Sequence, residues 1–492
     1  MSVNTSNNSR WILLVIVAMG LLLVTLDNSI LYTALPTLVK EMGANHTESL
    51  WMVNAYPLVM AGLLIGTGSL GDKLGHKKLF LVGLTIFGLA SLLAAFSPNP
   101  EWLIASRAIL AIGAASMMPA TLALLRLTFH DPREFNIAVA IWGSISTIGA
   151  SLGPVVSGLL LNHFWWGSVF LINVPVVIIA IIGTFIYAPK GHTENSKPWD
   201  LISALQFMIG LTGLVLFIKE VFKSDASGII IIAAAIAALS GLFSFARRQK
   251  KSEHPMLDFS IFRIPQLSAG VIGAFVCMFA IAGLELITSQ RFQLIGDMTP
   301  LEAGLMVASL AIGALLTTVI GGSIAHKTGV RPLLSGGMLV ATVGVCVLIW
   351  GFPEVSLVVF SLVLIGMGLG LVMAVASSAI VGSVPHDVAG VASSVEEVSY
   401  EMGSLLAVSI IGSLMLNIYQ SVIQLPQGIS VKAKEGVEEA MSIVQHSANN
   451  KSLFTAVAQA YDHAYIIASI VIGVVLLVTA VVSFYLLRKK EK

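Results

Sequence analysis

The stretch Gly68-Ser-Leu-Gly-Asp-Lys-Leu-Gly-His-Lys77 returns 254 residues later, without a gap, as Gly322-Ser-Ile-Ala-His-Lys-Thr-Gly-Val-Arg331. The two copies share the Gly-Ser start, the Lys at the sixth position, the Gly at the eighth and the final cation. Each copy comes directly after a long apolar run. An internal repeat of this kind predicts two halves built on the same plan.

The composition around this repeat decides the class of protein. Of the 492 residues, 56% are hydrophobic and 11% are charged, against roughly 25% charged residues in a soluble domain. So few charges cannot cover a water-soluble protein of this size, and the mean hydropathy of +0.91 agrees. The composition predicts a polytopic membrane protein and excludes a soluble enzyme, a nucleic-acid-binding protein and a secreted scaffold. Cys277 and Cys346 lie alone in apolar runs, which excludes a disulfide framework and a Cys-rich metal site.

Windows of about 20 apolar residues, the length that crosses a bilayer, predict fourteen spans. They cover residues 11–33, 50–70, 79–97, 102–125, 136–160, 168–188, 200–219, 227–247, 267–289, 302–325, 333–351, 355–382, 392–419 and 463–487. The repeat follows spans 2 and 10, so spans 1–6 and 9–14 form equivalent halves with spans 7 and 8 inserted between them. We therefore predict an all-α integral membrane protein with a 6+2+6 arrangement.

The predicted domains follow from this arrangement. The N-terminal half covers 1–190, the two inserted helices and a cytoplasmic linker cover 191–262, and the C-terminal half covers 263–492. A long polar outer loop at about 420–462 is expected to carry a short amphipathic helix. With both termini in the cytoplasm, nineteen of the 27 Lys and Arg residues fall in cytoplasmic segments and seven outside, as the positive-inside rule requires.

The first copy of the repeat forms the predicted cytoplasmic turn between spans 2 and 3. Its glycines, Gly68 and Gly75 among them, let two helix ends meet in a tight turn, and Asp72 can bind a neighbouring helix end. Lys77 and Lys78, together with Lys73, keep the loop in the cytoplasm. A solvated loop is the plainer interpretation, but the repeat favours a gating latch. The second copy has His326 at the position of Asp72, so its latch is expected to be weaker.

Two spans carry groups that are unusual in a membrane. Arg107 lies in span 4, where a charged side chain is costly and is normally paired or functional. Span 5 contains Gly149-Ala-Ser-Leu-Gly153-Pro154-Val-Val-Ser-Gly158. Its Gly-Pro step predicts a kink, and its glycines allow close approach of another helix. We assign Gly149, Gly153, Pro154 and Gly158 to conformational gating, although an ordinary packing helix would also carry such residues.

Span 1 ends with an acid, Asp27, followed by Asn-Ser-Ile-Leu-Tyr-Thr-Ala-Leu-Pro36. Asp27 lies roughly 22 Å from the inner face, and Arg107 lies roughly 9 Å from the outer face, at 1.5 Å per residue. In a hydrocarbon core of about 30 Å these depths nearly coincide. We therefore predict that Asp27 and Arg107 are coupled, directly or through water. A helix-capping role for Asp27 at the interface is the alternative.

Span 13 begins with an acidic stretch that contains Glu396, Glu397, Tyr400 and Glu401. Glu397 and Glu401 are four residues apart and share a helix face, and Glu401 lies near the midplane. Glu396 fits a solvated helix start, and Glu285, near the outer end of span 9, fits an interfacial acid. The aromatic residues Trp51, Tyr56, Trp142 and Tyr400 offer cation–π faces, or serve as packing residues.

Taken together, these motifs resemble the major facilitator superfamily, and within it the fourteen-helix drug:proton antiporter branch of QacA/SmvA/AmvA-like multidrug efflux pumps. The resemblance covers nearly the whole chain. Phe170-Leu-Ile-Asn-Val-Pro175 and Thr299-Pro-Leu-Glu-Ala-Gly304 are further stretches similar to the family. Span 4 departs from the family pattern in having Ala111 where a Gly is usual. The resemblance implies a monomer in the bacterial inner membrane that exports lipophilic cations in exchange for protons.

The residue roles follow from the chemistry and from this resemblance. Proton coupling is assigned to Asp27, Arg107, Glu397 and Glu401, and substrate binding to Asp27, Glu397, Glu401, Tyr56, Trp142 and Tyr400. The chain lacks a G-x-x-x-x-G-K-[ST] phosphate loop, so neither ATP nor another cofactor is expected. A carboxylate in a low dielectric can take up a proton and exchange it for a cation as the halves alternate access.

Three other classes of function remain open from the sequence. A proton-coupled transporter of a metabolite or an anion could use the same fold, but it would be expected to carry more membrane cations than the single Arg107. A membrane-embedded enzyme would need clustered ligands or a nucleophile with its base, and none is visible. A sensor or scaffold would not need Asp27, Glu397 and Glu401 together.

Overall fold

The computed structural model describes residues 7–129, 131–189, 200–222, 226–252, 255, 257–384, 389–426, 429–446 and 451–490. The described residues are almost entirely helical and contain no strand. The first nine helices are α1 (Asn7–Met42), α2 (His46–Leu74), α3 (His76–Ala95), α4 (Pro100–Thr128), α5 (Pro132–His163), α6 (Ser168–Leu171), α7 (Asn173–Tyr187), α8 (Leu201–Val221) and α9 (Gly228–Lys251). The remaining helices are α10 (Pro265–Leu294), α11 (Pro300–Thr328), α12 (Val330–Gly351), α13 (Val355–Ile380), α14 (Ala389–Val422), α15 (Val437–His446) and α16 (Lys451–Leu486).

A helix overlies every predicted span, with α6 and α7 together forming the sixth. Within the described residues, twelve helices are long and apolar enough to cross a membrane. The all-α membrane fold is therefore confirmed, while the count of fourteen spans and the orientation of the termini stay predictions. Below, the outer side is the one that this orientation assigns to His46, His163, Pro300 and Val422.

Several helices extend beyond the predicted spans, the last one by the most. The last span was expected to begin at residue 463, but α16 already begins at Lys451. The first three turns of α16 are too polar to be predicted as part of a span, because hydropathy detects residues that lie in the membrane and does not detect helical structure outside it. The outer loop also contains a short helix, α15, as expected for this segment. The sixth span is interrupted at Ile172, which separates α6 from α7.

The sequence repeat corresponds to a structural repeat. Gly75 ends α2 at φ +90° and Gly329 ends α11 at φ +79°, a region that glycine adopts without steric cost. Each N–H bonds to the carbonyl four residues earlier, at 2.8 Å to Gly71 and 2.9 Å to Ala325. The next helix begins at the following residue in both cases. These two positions are 254 residues apart, which is the offset of the repeat.

The helices pack as two halves, named here the N-terminal half (α1–α7) and the C-terminal half (α10–α16). In the first, α1 packs on α5 and α7, and α4 packs on α2 and α3. In the second, α10 packs on α14, and α13 packs on α11 and α12. The inserted helices α8 and α9 pack on each other, and α8 also contacts α2 and α14.

The two halves meet on the outer side. The side chain of Asn54 on α2 donates to Ser409 on α14 at 2.9 Å, and the hydroxyls of Tyr32 on α1 and Ser404 on α14 lie 2.8 Å apart. Near the outer ends of α5 and α11, Gly158 lies directly against the Leu301 backbone. These contacts close the outer side of the bundle, so this structure is closed to the outside.

Candidate functional site

An ion pair lies at the centre of the N-terminal half. Arg107 Nη1 on α4 donates to Asp27 Oδ2 on α1, and both side chains are 1% exposed. The depths calculated from the sequence predicted that the two groups would meet, and the structure brings them into direct contact. A buried charge in a membrane is tolerated when a partner neutralises it, and each of these residues supplies the charge that the other needs.

Three further groups hold this ion pair in place. Asn173 Nδ2 on α7 donates to Asp27 Oδ1 at 3.1 Å and lies 3.3 Å from Ser91 Oγ on α3. Arg107 Nε donates to the carbonyl of Met52 on α2 at 3.3 Å. The Arg107 guanidinium also lies 4.6 Å from the centre of the Tyr56 ring. Helices α2 and α7 therefore hold this pair directly, and α3 supports it through the contact of Ser91 with Asn173.

The C-terminal half supplies the facing acids. Glu397 and Glu401 are half-buried on α14, one helix turn apart on the same face. Glu401 is within electrostatic reach of Arg107 and of Tyr56. An acid of the C-terminal half, Glu401, therefore faces the Asp27–Arg107 pair across the plane between the halves. Whether these residues carry protons or substrate stays a prediction.

Glu396 and Glu285 lie elsewhere than the sequence suggested. Glu396 was expected to be a solvated helix start, but it is 7% exposed and accepts a hydrogen bond from the Tyr400 hydroxyl at 3.2 Å. Glu285 was expected at the interface with water, but it is 6% exposed on α10. Counting residues along a helix gives the depth of a side chain in the membrane but not the direction in which that side chain points. Both side chains point into the protein, which the sequence pattern does not reveal.

Internal groups already occupy several aromatic residues considered for substrate. The Tyr56 ring faces Arg107, and Tyr400 uses its hydroxyl on Glu396. The centre of the Trp51 ring lies 4.5 Å from Lys219 Nζ on the inserted helix α8. Trp142 is half-buried on α5 against the hydrophobic core. The rings of Tyr56 and Trp51 therefore each already contact a cationic side chain of the protein, Arg107 and Lys219 respectively.

The glycines assigned to gating on α5 lie at close helix contacts. A methyl group at Gly149 would overlap Thr25, and one at Gly153 would overlap Ser29, both on α1. Farther out, Gly158 lies against Leu301, and the Pro154 carbonyl lies against Gly304, both on α11. One face of α5 therefore joins α1 within its own half, while its outer end joins the other half.

The cytoplasmic turn is described in part. Gly75 forms the turn between α2 and α3, and Lys78 is exposed. Lys77 Nζ donates to the carbonyls of Phe185 at 2.9 Å and Ala188 at 2.8 Å. Lys77 therefore caps the inner end of α7, where a cation is favourable. Gly68 and Asp72 lie outside the residues whose side chains are described, so the latch at Asp72 stays a prediction.

The most informative residue that sequence reasoning missed is Asn173. It lies in the Phe170–Pro175 stretch, to which no mechanistic role was given, yet its amide binds Asp27. An amide within an apolar run that contains a Pro was the available signal, since a buried polar group needs a partner. Over the described residues, no group of three His, Cys, Asp or Glu side chains is placed to bind a metal ion.

The architecture and the site define an integral membrane transporter of two repeated six-helix halves. The sequence profile of the Major Facilitator Superfamily matches residues 17–296 and 270–431. The chain belongs to this superfamily, and it is a multi-pass membrane protein.

The chain is similar along its whole length to the methyl viologen resistance protein SmvA of Salmonella typhimurium. The two are 33% identical over 498 aligned positions, which cover 98% of this chain and 99% of that protein. The multidrug efflux pump LfrA of Mycolicibacterium smegmatis is 32% identical over 433 positions, covering 88% of this chain and 86% of that pump. These relatives confirm the resemblance to the drug:proton antiporter branch.

Among solved structures, the chain resembles a bacterial homologue of the human lysosomal transporter Spinster in an inward-facing, unoccupied conformation. The TM-score is 0.69 at 15% identity, with 98% of each chain covered. At this level of identity the similarity establishes the fold alone.

Proposed function

We propose that this protein is a proton-coupled multidrug efflux antiporter of the bacterial inner membrane. Its substrates are lipophilic mono- and dications: quaternary ammonium biocides, biguanides, dyes and viologens. The observation that carries the proposal is Glu401, which faces the neutralised Asp27–Arg107 pair across the plane between the halves and has Glu397 one turn away on the same helix face. The similarity to SmvA, a methyl viologen resistance protein, and to LfrA, a multidrug efflux pump, supports the same substrate class.

The charge balance of this region favours a cation. Arg107 is the one cation predicted within a span, and Asp27 already neutralises it. The half-buried acids Glu397 and Glu401 therefore leave the region net negative when they are ionised. A carboxylate in a low dielectric is stabilised either by a proton or by a cationic ligand. A bound proton and a bound cation each neutralise the same carboxylate, so the two compete for it. This competition is the physical basis of exchange.

The proposed cycle uses alternating access of the two halves. In the closed-outside structure, a cation from the cytoplasm or the inner leaflet displaces protons from the acids. The halves then rock, the outer contacts at Tyr32–Ser404 and Asn54–Ser409 separate, and the cation leaves as external protons bind. The proton gradient drives the cycle, with no ATP and no bound cofactor. The pump works as a monomer with both termini in the cytoplasm.

The test is efflux of ethidium from loaded cells, or its uptake into everted vesicles, with and without a protonophore. We expect transport that depends on the protein and collapses with the protonophore, while an anionic dye is not moved. An Arg107→Ala variant, expressed at the same level, gives the background rate of ethidium efflux. Efflux that persists without a proton gradient would contradict the coupling. Transport of the anionic dye instead of the cations would favour the metabolite or anion transporter.

A further inference from the structure

The buried carboxylate of Glu285 has no place in the cycle described so far. It lies on α10, nine residues before the outer end of that helix at Leu294. Ser289 and Gln293 follow it at steps of four residues and so share its helix face. Gln293 Nε2 donates to Ser289 Oγ at 2.9 Å and to the backbone carbonyl of Thr33 on α1 at 2.8 Å. The face of α10 that carries Glu285 is therefore the one that meets α1.

Glu285 lies beside a contact that closes the outer side. The hydroxyls of Tyr32 on α1 and Ser404 on α14 are 2.8 Å apart and join the two halves. The Tyr32 hydroxyl is within electrostatic reach of both Glu285 and Glu401. We name Tyr32, Ser404, Thr33 and Gln293 the outer gate. Closing this gate leaves Glu285 only 6% exposed.

The charged groups around Glu285 do not neutralise it. Arg107 on α4, which is within electrostatic reach of Tyr32 as Glu285 is, pairs with Asp27 on α1. From α14 comes Glu401, which has the same charge as Glu285. Arg291, farther out on α10, makes two hydrogen bonds to Asp462 on α16, at 2.8 and 3.2 Å.

The other titratable groups of α1, α2 and α16 in this region include the phenols Tyr32, Tyr56, Tyr461 and Tyr465. Over the described residues, no hydrogen bond or ion pair joins Glu285 to another side chain. An ionised carboxylate buried without a partner is strongly unfavourable. The closed gate therefore favours a Glu285 that carries a proton.

We infer that Glu285 is the proton-binding residue of the outer gate, and that the gate closes when this carboxylate is neutralised. The inference rests on the proposed antiport. When the gate opens, Tyr32 separates from Ser404, external water reaches Glu285, and the carboxylate ionises readily. An external proton then binds to it, forms the neutral acid and permits closure. A cation that enters beside Glu401 later favours release of that proton as H⁺ to the cytoplasmic side.

The experiment measures gate position against pH in the absence of substrate. Spin labels are placed at Phe96→Cys and Trp350→Cys, two exposed positions at the outer ends of α3 and α12, in a background with Cys277→Ser and Cys346→Ser. Distances between the labels are recorded by electron–electron resonance from pH 5 to pH 9. We expect the unmodified gate to be closed at low pH and increasingly open as the pH rises.

The Glu285→Gln variant carries a permanently neutral side chain and is expected to remain at the closed distance up to pH 9. Glu285→Asp is expected to restore the pH dependence, and Glu101→Gln, which removes an exposed acid on α4, should titrate as the parent does. A Glu285→Gln protein that opens with the same pH midpoint as the parent would overturn the inference. A parent whose gate does not respond to pH would overturn it as well.

A second measurement separates this inference from the proposed function. Proton release on addition of tetraphenylphosphonium is followed with a pH indicator in lightly buffered detergent. Glu285→Gln is expected to release one proton fewer per bound cation than the parent and still to bind the cation, which also shows that it is folded. Equal release would overturn the role of Glu285 while leaving antiport intact. A parent that binds no cation would contradict the proposed function, and the spin-label experiment would still decide the gate.

Discussion

Arg107 on α4 and Asp27 on α1 form an ion pair in which each side chain is 1% exposed. Removing one partner of such a pair costs about 3–5 kcal/mol, because the remaining charge is left buried and uncompensated. The Asn173 amide and the Met52 carbonyl add one hydrogen bond to each partner. The pair is therefore both a structural element of the N-terminal half and the fixed charge that the acids of the other half face.

We predict that Asp27→Asn abolishes export of every cationic substrate while the protein still inserts in the membrane. Arg107→Ala should be equally inactive. Arg107→Lys should keep part of the activity, since Lys retains the charge but lacks the planar fork that reaches Asp27 and Met52 together. Ethidium efflux, normalised to the amount of protein in the membrane, measures these effects. Full efflux by Asp27→Asn would show that this acid is not needed for transport.

Asn173 permits a finer test of the same pair. Asn173→Ala removes a hydrogen bond to the charged Asp27 carboxylate and leaves the ion pair, so the free energy of unfolding is expected to fall by about 1.5–3 kcal/mol. We predict reduced but measurable efflux, together with a lower unfolding temperature in detergent. Thr85→Ala, which removes an exposed hydroxyl bonded to its own helix, is the control. Activity as low as that of Asp27→Asn would mean that Asn173 acts directly in transport.

The contact of α5 with α1 should control turnover. A side chain at Gly153 would overlap Ser29, so Gly153→Leu must separate the two helices. We predict a loss of turnover with substrate affinity nearly unchanged, and we predict the same split for Asp72→Ala at the cytoplasmic turn. Gly336→Leu is the matched control, because nothing lies within 4 Å of the added carbon.

Affinity for a fluorescent cation in detergent and transport in vesicles are measured in parallel for these variants. If Gly153→Leu weakens binding strongly while bound substrate is moved at the normal rate, the assignment of α5 to conformational change is wrong. Loss of activity in Gly336→Leu would show that any large side chain in a span is harmful, and would remove the specificity of the test.

The charge of the substrate should decide how much Glu401 matters. Exchange of one proton for a monocation moves no net charge, whereas a dication for one proton moves positive charge outward. That step opposes an interior-negative potential worth ~2.3 kcal/mol per charge per 100 mV. A second proton removes this penalty, and a second acid balances the extra charge of the substrate. We therefore predict that Glu401→Gln weakens export of chlorhexidine or methyl viologen more than export of benzalkonium or ethidium.

Glu397→Gln should produce the same pattern to a smaller degree, because Glu397 lies one turn nearer the inner face. Resistance and efflux profiles for the two substrate classes provide the measurement. Equal losses for both classes would place Glu401 in the proton pathway common to all substrates. An unaffected Glu401→Gln variant would mean that this carboxylate does not contact the substrate.

The outer loop should respond to pH through Glu438 on α15. Burial, together with the neighbouring Glu439, raises the pKa of Glu438 from 4.5 to about 7, and its Oε2 atom has no hydrogen-bond partner in the described structure. A raised carboxyl pKa means that docking is favoured when Glu438 is protonated. The packing of α15 against α16 should therefore weaken as the pH rises from about 5 through 7.

A fluorescent probe at Ser442→Cys in a cysteine-free background reports this docking by its anisotropy. We expect anisotropy to fall between pH 5 and pH 8 in the parent and to remain constant in Glu438→Gln. Glu435→Gln, which removes an exposed acid of the same loop, should titrate as the parent does. A pH dependence that survives in Glu438→Gln would assign the effect to another group.

The amino-acid sequence was sufficient to predict the membrane class, the positions of the helices, the internal repeat and the depths of Asp27 and Arg107. Each of these depends on a constant: the rise per helical residue, the thickness of the bilayer, or the φ angle that only glycine adopts without steric cost at Gly75 and Gly329. Such quantities are local, so that reading along the chain is sufficient to obtain them.

Which groups become partners is known only from the packing of the helices. Hydropathy places a residue at a depth but does not say which way its helix is rotated or which helix lies opposite. For that reason Asn173 was missed as a partner of Asp27, and Glu285 was assigned to the interface with water instead of the outer gate. The contact of Lys219 on α8 with the Trp51 ring on α2 follows the same rule. These contacts join helices or turns whose relative rotation is fixed only when the whole bundle packs.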